Sequence, residues 1–371
     1  MLRRASEAEG LSLTGRQVLL LAPAPGIPVL GPSGASAHLR GIAQAFVTRG
    51  AELRIVAALE SDRRGVHGQV PVPIQAVGVP GWPSWLPKYR ERRETWAANK
   101  VARRALRGPT PELVYERWSL FSLAGEQVRK ETGAPWVLEI NAPLFQERER
   151  FEEIRDAVYA KRMQRQALLS ADRLVVVSDW LANWLTQDIG VRPNRIRVVP
   201  NGTSPHIGER SATRAGLGFS ESDFVVGFLG SMKVWHGVQR LPNWIDSIPG
   251  AKGLLVGSGP VELPQGLLQT GSVSQAKSAD LVAAMDVGLI PYPSNAPPWF
   301  CPLKLWAYRA QGTPVVASDV GEIASWLGEG DRLVQEEEAW VTQIASCRSQ
   351  RTTPHQRLWT QVLDEALEGL L

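Results

Sequence analysis

From residue 299 to 320 the sequence reads WFCPLKLWAYRAQGTPVVASDV, an arrangement suited to holding a phosphorylated ligand at the start of a helix. Pro302 fits the first helical position and Leu303 to Gln311 continue the helix. Gly312 supplies its stop, and residues 314–318 read as a buried strand. Backbone N–H groups at such a start lack intrahelical acceptors and lie at the positive end of the helix dipole, so an anion lodges there. Pro302 cannot donate, which leaves Leu303 and Lys304 to supply the N–H groups, and the Lys304 ammonium adds a mobile point charge.

Four glycine-bearing turns, at 31–36, 200–202, 230–233 and 257–260, offer further main chain to a ligand. Glycine tolerates positive φ and lets a phosphate or sugar come close, so Gly257 and Gly259 join the candidates. None of these turns is a GxxxxGK[ST] phosphate loop or a GxGxxG dinucleotide fingerprint. The five histidines and two cysteines are scattered, so no metal-ligand spacing is legible.

These candidates need elements to position them. Short apolar runs alternate with helical patterns from Gln17 onward, the βαβ rhythm of a parallel sheet covered on both faces. In the first half the pattern predicts strands at 17–22, 52–58, 74–77, 113–116, 136–140, 173–177 and 196–199. A first helix is capped by Ser36 and stops at Gly50; others are predicted at 91–107, 119–132, 145–170 and 179–189. The rhythm restarts after the punctuation at 200–205 and a polar segment to Ser222. Strands follow at 224–229, 253–256, 271–273, 287–291 and 314–317, with helices at 239–248, 278–284, 303–311 and 323–326. In 354–371, Leu358, Val362, Leu363, Leu367 and Leu370 recur at helical intervals and need a second surface to cover them. The chain therefore divides into two α/β domains, 1–204 and 205–353, and a terminal helix, 354–371. Ligands bind at the open C-terminal edges of such sheets, so the cleft between the two domains is where chemistry is expected.

Composition agrees. A chain of 371 residues exceeds one typical core. A net charge of +4 is too mild for a dedicated nucleic-acid binder, and no nucleic-acid partner is expected. Two cysteines, Cys301 and Cys347, fit a reducing compartment rather than a disulfide framework. No apolar core of a signal peptide follows Arg3 and Arg4, and no run approaches 18 apolar residues, so a cytoplasmic protein is expected.

The order of the motifs carries more than any one of them. GASAHLR at 34–40, VYERWSL at 114–120, VLEINAPLFQE at 137–147, ADRLVVVSDWL at 171–181, RIRVVPNG at 195–202, VGFLGSMKVWHGV at 226–238, LLVGSGP at 254–260 and the segment 285–321 stand in the collinear order of glycosyltransferase family 4. The chain resembles these retaining GT-B enzymes over nearly its whole length. The resemblance implies two facing Rossmann-like domains, the first for the acceptor and the second for a nucleoside-diphosphate sugar, with the terminal helix crossing back onto the first. It implies transfer of a hexosyl-type group with retention to a glycan, lipid-linked or small-molecule acceptor, as in polysaccharide or glycolipid biosynthesis. No cofactor and no metal are required, the nucleotide sugar being a co-substrate. Positive groups and helix starts must then neutralise the departing diphosphate.

Where such families clamp the diphosphate with Gly-Arg and Lys-Gly pairs, this chain has Gly230-Ser231 and His236-Gly237. Lys233 lies between them and would replace one cation, and a neutral His236 would serve as a hydrogen-bond donor. The helix glutamate that accepts from the nucleotide ribose, and a second eight residues earlier, are replaced by Ala307 and Trp299. Losing such charge-assisted bonds costs roughly 1.5–3 kcal/mol each. Glu322 is the candidate substitute, against its reading as a surface or cap residue, and Trp299 reads as a packing residue rather than a base-stacking one. On the acceptor side, Gly34 gives the tight loop near the reacting centre. His38, one turn into the helix, is a sugar contact or a packing residue. Glu139 and Asn141 leave a strand end facing the cleft, and Asn141 stands where relatives place an acceptor-positioning histidine. Glu147 and Arg117 are weaker candidates that pair with one another in the plainer reading. The sequence shows no protein nucleophile.

Residues 82–107, WPSWLPKYRERRETWAANKVARRALR, carry eight Lys or Arg and two Glu from 88 to 107. Such a run reads as a solvated helix face by default. It also suits peripheral docking on the anionic inner face of a membrane, which would make a lipid-linked acceptor natural. The substitutions at Ser231, Trp299 and Ala307 keep a rival function open: a weakened, glycosyltransferase-like binding or partner subunit that has lost the ribose-binding glutamate.

Overall fold

A computed structural model describes residues 10–61, 68–80, 90–262 and 266–370. The first half contains, in chain order, β1 (Gln17–Ala22), α1 (Gly34–Thr48), β2 (Glu52–Ala57), β3 (Ile74–Ala76), α2 (Arg90–Ala105), β4 (Leu113–Arg117), α3 (Ala124–Thr132), β5 (Trp136–Ile140), α4 (Leu144–Phe151), α5 (Ala157–Ser170), β6 (Arg173–Val176), α6 (Asp179–Trp184) and β7 (Ile196–Val198). The second contains α7 (Arg210–Gly216), β8 (Phe224–Leu229), α8 (Leu241–Asp246), β9 (Ala251–Val256), β10 (Leu268–Gln269), α9 (Gln275–Ala283), β11 (Val287–Ile290), α10 (Leu303–Ala310), β12 (Val315–Ser318), α11 (Ile323–Trp326), β13 (Arg332–Val334) and α12 (Trp340–Ser346), followed by α13 (Trp359–Leu367).

The two sheets are parallel, in the orders β3-β2-β1-β4-β5-β6-β7 and β10-β9-β8-β11-β12-β13. Each order reverses beside its first strand, between β1 and β4 and between β8 and β11. The crevice at such a reversal is where ligands sit in this class of sheet. The loops that leave β1, β4, β8 and β11 carry most of the site candidates. The central strands are buried along their whole length, as expected of sheets covered on both faces.

Several boundaries differ from the sequence expectation, each for a local reason. Ser33, not Ser36, caps α1, its hydroxyl accepting from the Ser36 N–H at 3.1 Å. The expected helix at 119–132 starts only at Ala124, because the buried Glu116 carboxylate reaches up to accept from Gly125 N at 2.8 Å and from the Ser122 hydroxyl at 2.6 Å. The expected helix at 145–170 is two helices. Glu91 of α2 takes the N–H groups of Arg155 and Asp156, and Asp156 then caps α5. Leu185–Ile189 continue α6 as a π-helical turn. In the second half the strand expected at 271–273 lies at Leu268–Gln269, in register with Leu254 and Leu255. Helices α7 and α12 and strand β13 carry too few periodic residues to read from the chain. Pro302 stands one residue outside α10, as its N-cap with extended ψ.

The terminal helix α13 lies against α1, burying Trp359, Val362, Leu363, Ala366 and Leu367 in one cluster with Leu39, Ile42 and Phe46. Arg49 and Asp364 form an ion pair across the contact. A Cβ at Gly41 would run into the Trp359 indole. Gly41→Ala raises helix propensity by up to about 1 kcal/mol, yet overpacking costs typically 1–3 kcal/mol. The variant is therefore expected to lower the unfolding temperature and to speed proteolytic trimming of α13; an unchanged melt would show the helix free to shift.

Among the described residues no helix is long and apolar enough to cross a membrane. Of the basic flank, Trp82 to Tyr89 lie outside the described residues. The remainder forms α2, where Arg90 pairs with Glu152, and Lys100 lies over the ring of the half-exposed Trp96 at 5.3 Å.

Candidate active site

The start of α10 follows β11 through the loop 291–302, and the start of α1 follows β1 through the loop 23–33. The two helix starts come together: a Cβ on Gly34 would stand 3.3 Å from the Leu303 side chain. Both ends carry the positive pole of a helix, and neither the Leu303 nor the Lys304 N–H has an intrahelical acceptor. Gly34 thus makes a close approach as expected, but it is the other domain that approaches.

Lys304, on the first turn of α10, turns toward the end of β8, its Cε and Nζ 3.4 Å from where a Cβ on Gly230 would stand. Its side chain is buried and its Nζ has no hydrogen-bond partner among the described residues. The ammonium rests 3.9 Å from the centre of the Phe228 ring and 5.4 Å from that of Tyr292. Burial pulls its pKa from 10.5 to about 7. An unpaired buried ammonium is costly, and an anion is the group that would relieve it.

The loop after β8 runs beside it. His236 Nδ1 faces the Ser231 carbonyl, and burial, then the charges of Lys304 and Lys233, lower its pKa to about 3. A neutral ring keeps one proton, and the Ser231 carbonyl holds that proton on Nδ1. Nε2 therefore carries a lone pair, so the one N–H of His236 goes to Ser231 and none is left to donate to a ligand. The Ser231 hydroxyl is exposed. Lys233 is also exposed, its ammonium 4.6 Å over the Trp235 ring. Gly237 has φ +72°, and a Cβ there would collide with the Pro291 carbonyl of the loop leading to α10. Gly257 and Gly259 were candidates for ligand contact; instead the room they leave is filled by the backbone of Gly230 and Met232. They set the 230–237 loop in place, with Gly230 N donating to Val256 O and Met232 N to Ser258 O.

The acceptor-side expectations change more. Glu139 does not face the cleft but is buried at the end of β5, as a hub. It accepts from Arg117 and Tyr115 at 2.8 and 2.9 Å and from Asn141 at 2.5 Å, and it lies 2.8 Å from His38 Nε2. Burial pushes its pKa up, but His38, Arg117 and Asn141 outweigh this and hold it at about 2. His38 points its other nitrogen at Asn201 Oδ1, 2.9 Å away, and packs on Trp359. With its ring buried between Glu139, Asn201 and Trp359, His38 packs inside the first domain rather than serving as a sugar contact. Asn141 is half-buried, and its amide donates to Glu139. Arg117 is thus committed to Glu139, not to Glu147.

Glu322 is the clearest correction. Its carboxylate accepts from the N–H groups of Asp179 and Trp180, at 3.1 and 2.6 Å, and so caps α6 of the opposite domain. Each oxygen accepts one backbone N–H, so Glu322 serves as an interdomain cap rather than standing free in the cleft. Trp299 packs as expected, buried with its ring 5.2 Å from that of Trp180. Asn201, read from the sequence only as a turn residue, joins the domains by donating to the Cys301 carbonyl at 3.0 Å. Its side chain was legible as an asparagine before a glycine, and that signal points to a turn. Phe151 and Trp235 stack across the cleft with ring centres 5.2 Å apart.

Beside this stack lies a cavity of about 450 Å³, lined by the loop 24–27, the start of α2, residues 118–120, the inward face of α4, and Lys233 and Trp235 of the second domain.

Known proteins are similar to this chain in sequence and in fold. The sequence profile described as Glycosyltransferase Family 4 matches residues 32–206, and that described as Glycosyl transferases group 1 matches residues 223–349. The D-inositol 3-phosphate glycosyltransferase of Segniliparus rotundus is 30% identical over 180 residues, which cover 42% of this chain and 39% of that protein. The protein of the same name from Mycobacterium tuberculosis is 29% identical over 189 residues, 45% of this chain and 38% of that one. The match thus spans about two fifths of the length of these curated relatives. In fold, sucrose-phosphate synthase from Thermosynechococcus elongatus superposes with a TM-score of 0.68 at 17% identity, covering 96% of this chain and 95% of that one. Anabaena HepE, solved in complex with UDP-glucose, gives 0.65 at 17% identity, covering 96% and 99%. The parallel sheets, the converging helix starts and both profile matches lead to one assignment: the chain belongs to glycosyltransferase family 4, with the GT-B fold.

Proposed function

We propose that the chain transfers a glycosyl group from a nucleoside-diphosphate sugar to an acceptor hydroxyl in the cleft, with retention and without a required metal. The observation that carries this reading is the buried, unpartnered Lys304 ammonium at the start of α10, opposite the start of α1. The diphosphate lies there, bound by the N–H groups of Leu303 and Lys304 and by the Lys304 charge, with Lys233 and the Ser231 hydroxyl on the open side. Residues 205–353 form the donor domain and 1–204 the acceptor domain, where Asn141 presents the acceptor. The hydroxyl oxygen bonds to the anomeric carbon while the bond from that carbon to the diphosphate oxygen breaks. The diphosphate leaves with the electron pair and takes the hydroxyl proton, so no protein nucleophile is needed. The acceptor is a glycan, a lipid-linked sugar or a small molecule, and the protein works in the cytoplasm, with α2 and the segment before it as its membrane-facing side.

UDP is the first ligand to try, because Anabaena HepE was solved with UDP and UDP-glucose. Calorimetric titration with UDP, GDP and ADP and their sugars is expected to find saturable binding by one base, and EDTA is expected to leave turnover unchanged. No binding by any of these ligands would sink the donor site. One observation favours a second reading, a weakened partner subunit: Glu322 is committed to α6, so no carboxylate replaces the one missing at Ala307. That reading expects nucleotide binding without turnover.

A further inference from the structure

The charges around the cavity beside the Phe151–Trp235 stack are unevenly satisfied. Arg148 lies 2.6 Å from Glu94, and Arg90 lies 2.9 Å from Glu152. The cross pairs, Arg90–Glu94 and Arg148–Glu152, stand at 3.5 and 3.8 Å. Two arginines and two glutamates thus neutralise one another and offer little to a ligand.

Glu147 is different. It lies one turn before the end of α4, lines the same cavity, and its carboxylate has neither an ion-pair nor a hydrogen-bond partner among the described residues. Burial, and then Glu152, raise its pKa, against the pull of Lys233, Arg117 and Arg148. Trp118 also lines the cavity, and its buried indole N–H has no acceptor. An unused acceptor in a cavity walled by the rings of Trp118, Phe151 and Trp235 calls for a ligand group that donates. A hydroxyl does so, and aromatic walls suit the apolar faces of a sugar ring. A phosphate is less well served: it would meet the Glu147 carboxylate, Arg148 and Arg90 are held by Glu94 and Glu152, Arg93 donates to the Pro80 carbonyl, and the exposed Lys233 lies over the Trp235 ring.

We infer that this cavity takes an uncharged, polyhydroxylated sugar unit as acceptor, and that Glu147 selects it by accepting a hydrogen bond from one of its hydroxyls. The inference rests on the reading of the cleft as a glycosyl-transfer site. Glu147 binds and orients; it takes no proton in the transfer.

The test uses the full chain saturated with UDP. Ligand-observed NMR then measures binding of methyl α-D-glucopyranoside, methyl α-D-mannopyranoside and myo-inositol against glucose 6-phosphate and inositol 3-phosphate. At least one neutral probe is expected to bind more tightly than every phosphorylated one. Glu147→Gln is expected to weaken it about tenfold, the usual loss for a charge-assisted bond, and to narrow the gap to the phosphorylated probes. UDP affinity and circular dichroism of the variant report on the donor site and the fold. A chain that binds UDP yet prefers a phosphorylated probe, binds no neutral one, or is indifferent to Glu147→Gln overturns the inference and leaves the donor reading standing. Failure to bind UDP strikes the donor reading instead.

Discussion

Lys304→Met is expected to weaken binding of the nucleoside diphosphate by roughly 30- to 4000-fold, the range for truncating one partner of a buried charge pair. The same substitution is expected to make the empty protein more stable. A fall in the lysine pKa from 10.5 to about 7 is worth on the order of 5 kcal/mol against the charged form in the empty site. Methionine fills a similar volume without that cost. The two effects have opposite signs, which separates a ligand-binding cation from a structural one: a structural lysine would lose stability when replaced.

The same lysine sets a pH dependence. Its pKa is lower in the folded than in the unfolded chain, so between pH 7 and about 10 the unfolded state holds the extra proton and stability rises with pH. Ligand affinity runs the other way. The diphosphate needs the ammonium, so the dissociation constant is expected to be flat just below pH 7. It then rises about tenfold per pH unit above it, as the free protein surrenders the proton. The charged groups nearest Lys304 do not blur this, since His236 is neutral until about pH 3 and Lys233 stays at the exposed mouth. Titration of UDP at pH 8.5 in buffers of different ionisation enthalpy should show uptake approaching one proton per UDP, and none in Lys304→Met. Binding without proton uptake at that pH would refute the assignment.

Glu139→Gln is expected to have the largest effect on stability. It removes the carboxylate that faces His38 and Arg117 in the interior of the first domain. Breaking a buried pair on one side costs about 3–5 kcal/mol, because the Arg117 guanidinium remains charged and largely buried. For a domain of this size that is a fall of roughly 6–20 °C in the unfolding temperature. Its acid profile follows from the lowered pKa: the contribution is complete above about pH 4.5 and is lost as the pH falls toward 2. Wild-type protein should therefore lose stability more steeply across that window than the variant, which keeps only the contribution of other carboxylates such as Asp172. A melt within the error of wild type would show that the hub does not hold the domain together. Asn141 is oriented by the same carboxylate, so transfer should fall more than UDP affinity.

The distance between sequence and structure is clearest at Glu322 and His38. Both were visible as polar residues in matching motifs. Neither motif shows that the Glu322 carboxylate meets the open end of α6, some 140 residues earlier in the chain, or that Glu139 and Asn201 close over both nitrogens of His38. Similarly, Gly257 and Gly259 look like ligand-contact glycines because positive φ and small size are local properties. What occupies the vacated space, here the Gly230–Met232 backbone, is not.

What the sequence determined by itself is what depends on short-range pattern. Apolar runs of strand length between amphipathic helices specified two parallel sheets, and Pro302 through Gly312 specified α10 and the place of Lys304 on its first turn. The stripe of α13 specified that it must be covered. Tertiary structure alone decided which polar groups remain unpaired once the chain has folded. Hydrogen bonds and ion pairs are spent between residues far apart in sequence, so Glu139 and Glu322 emerge satisfied, whereas the Lys304 ammonium does not. The groups left wanting a partner are those that can bind a ligand, and only the folded packing identifies them.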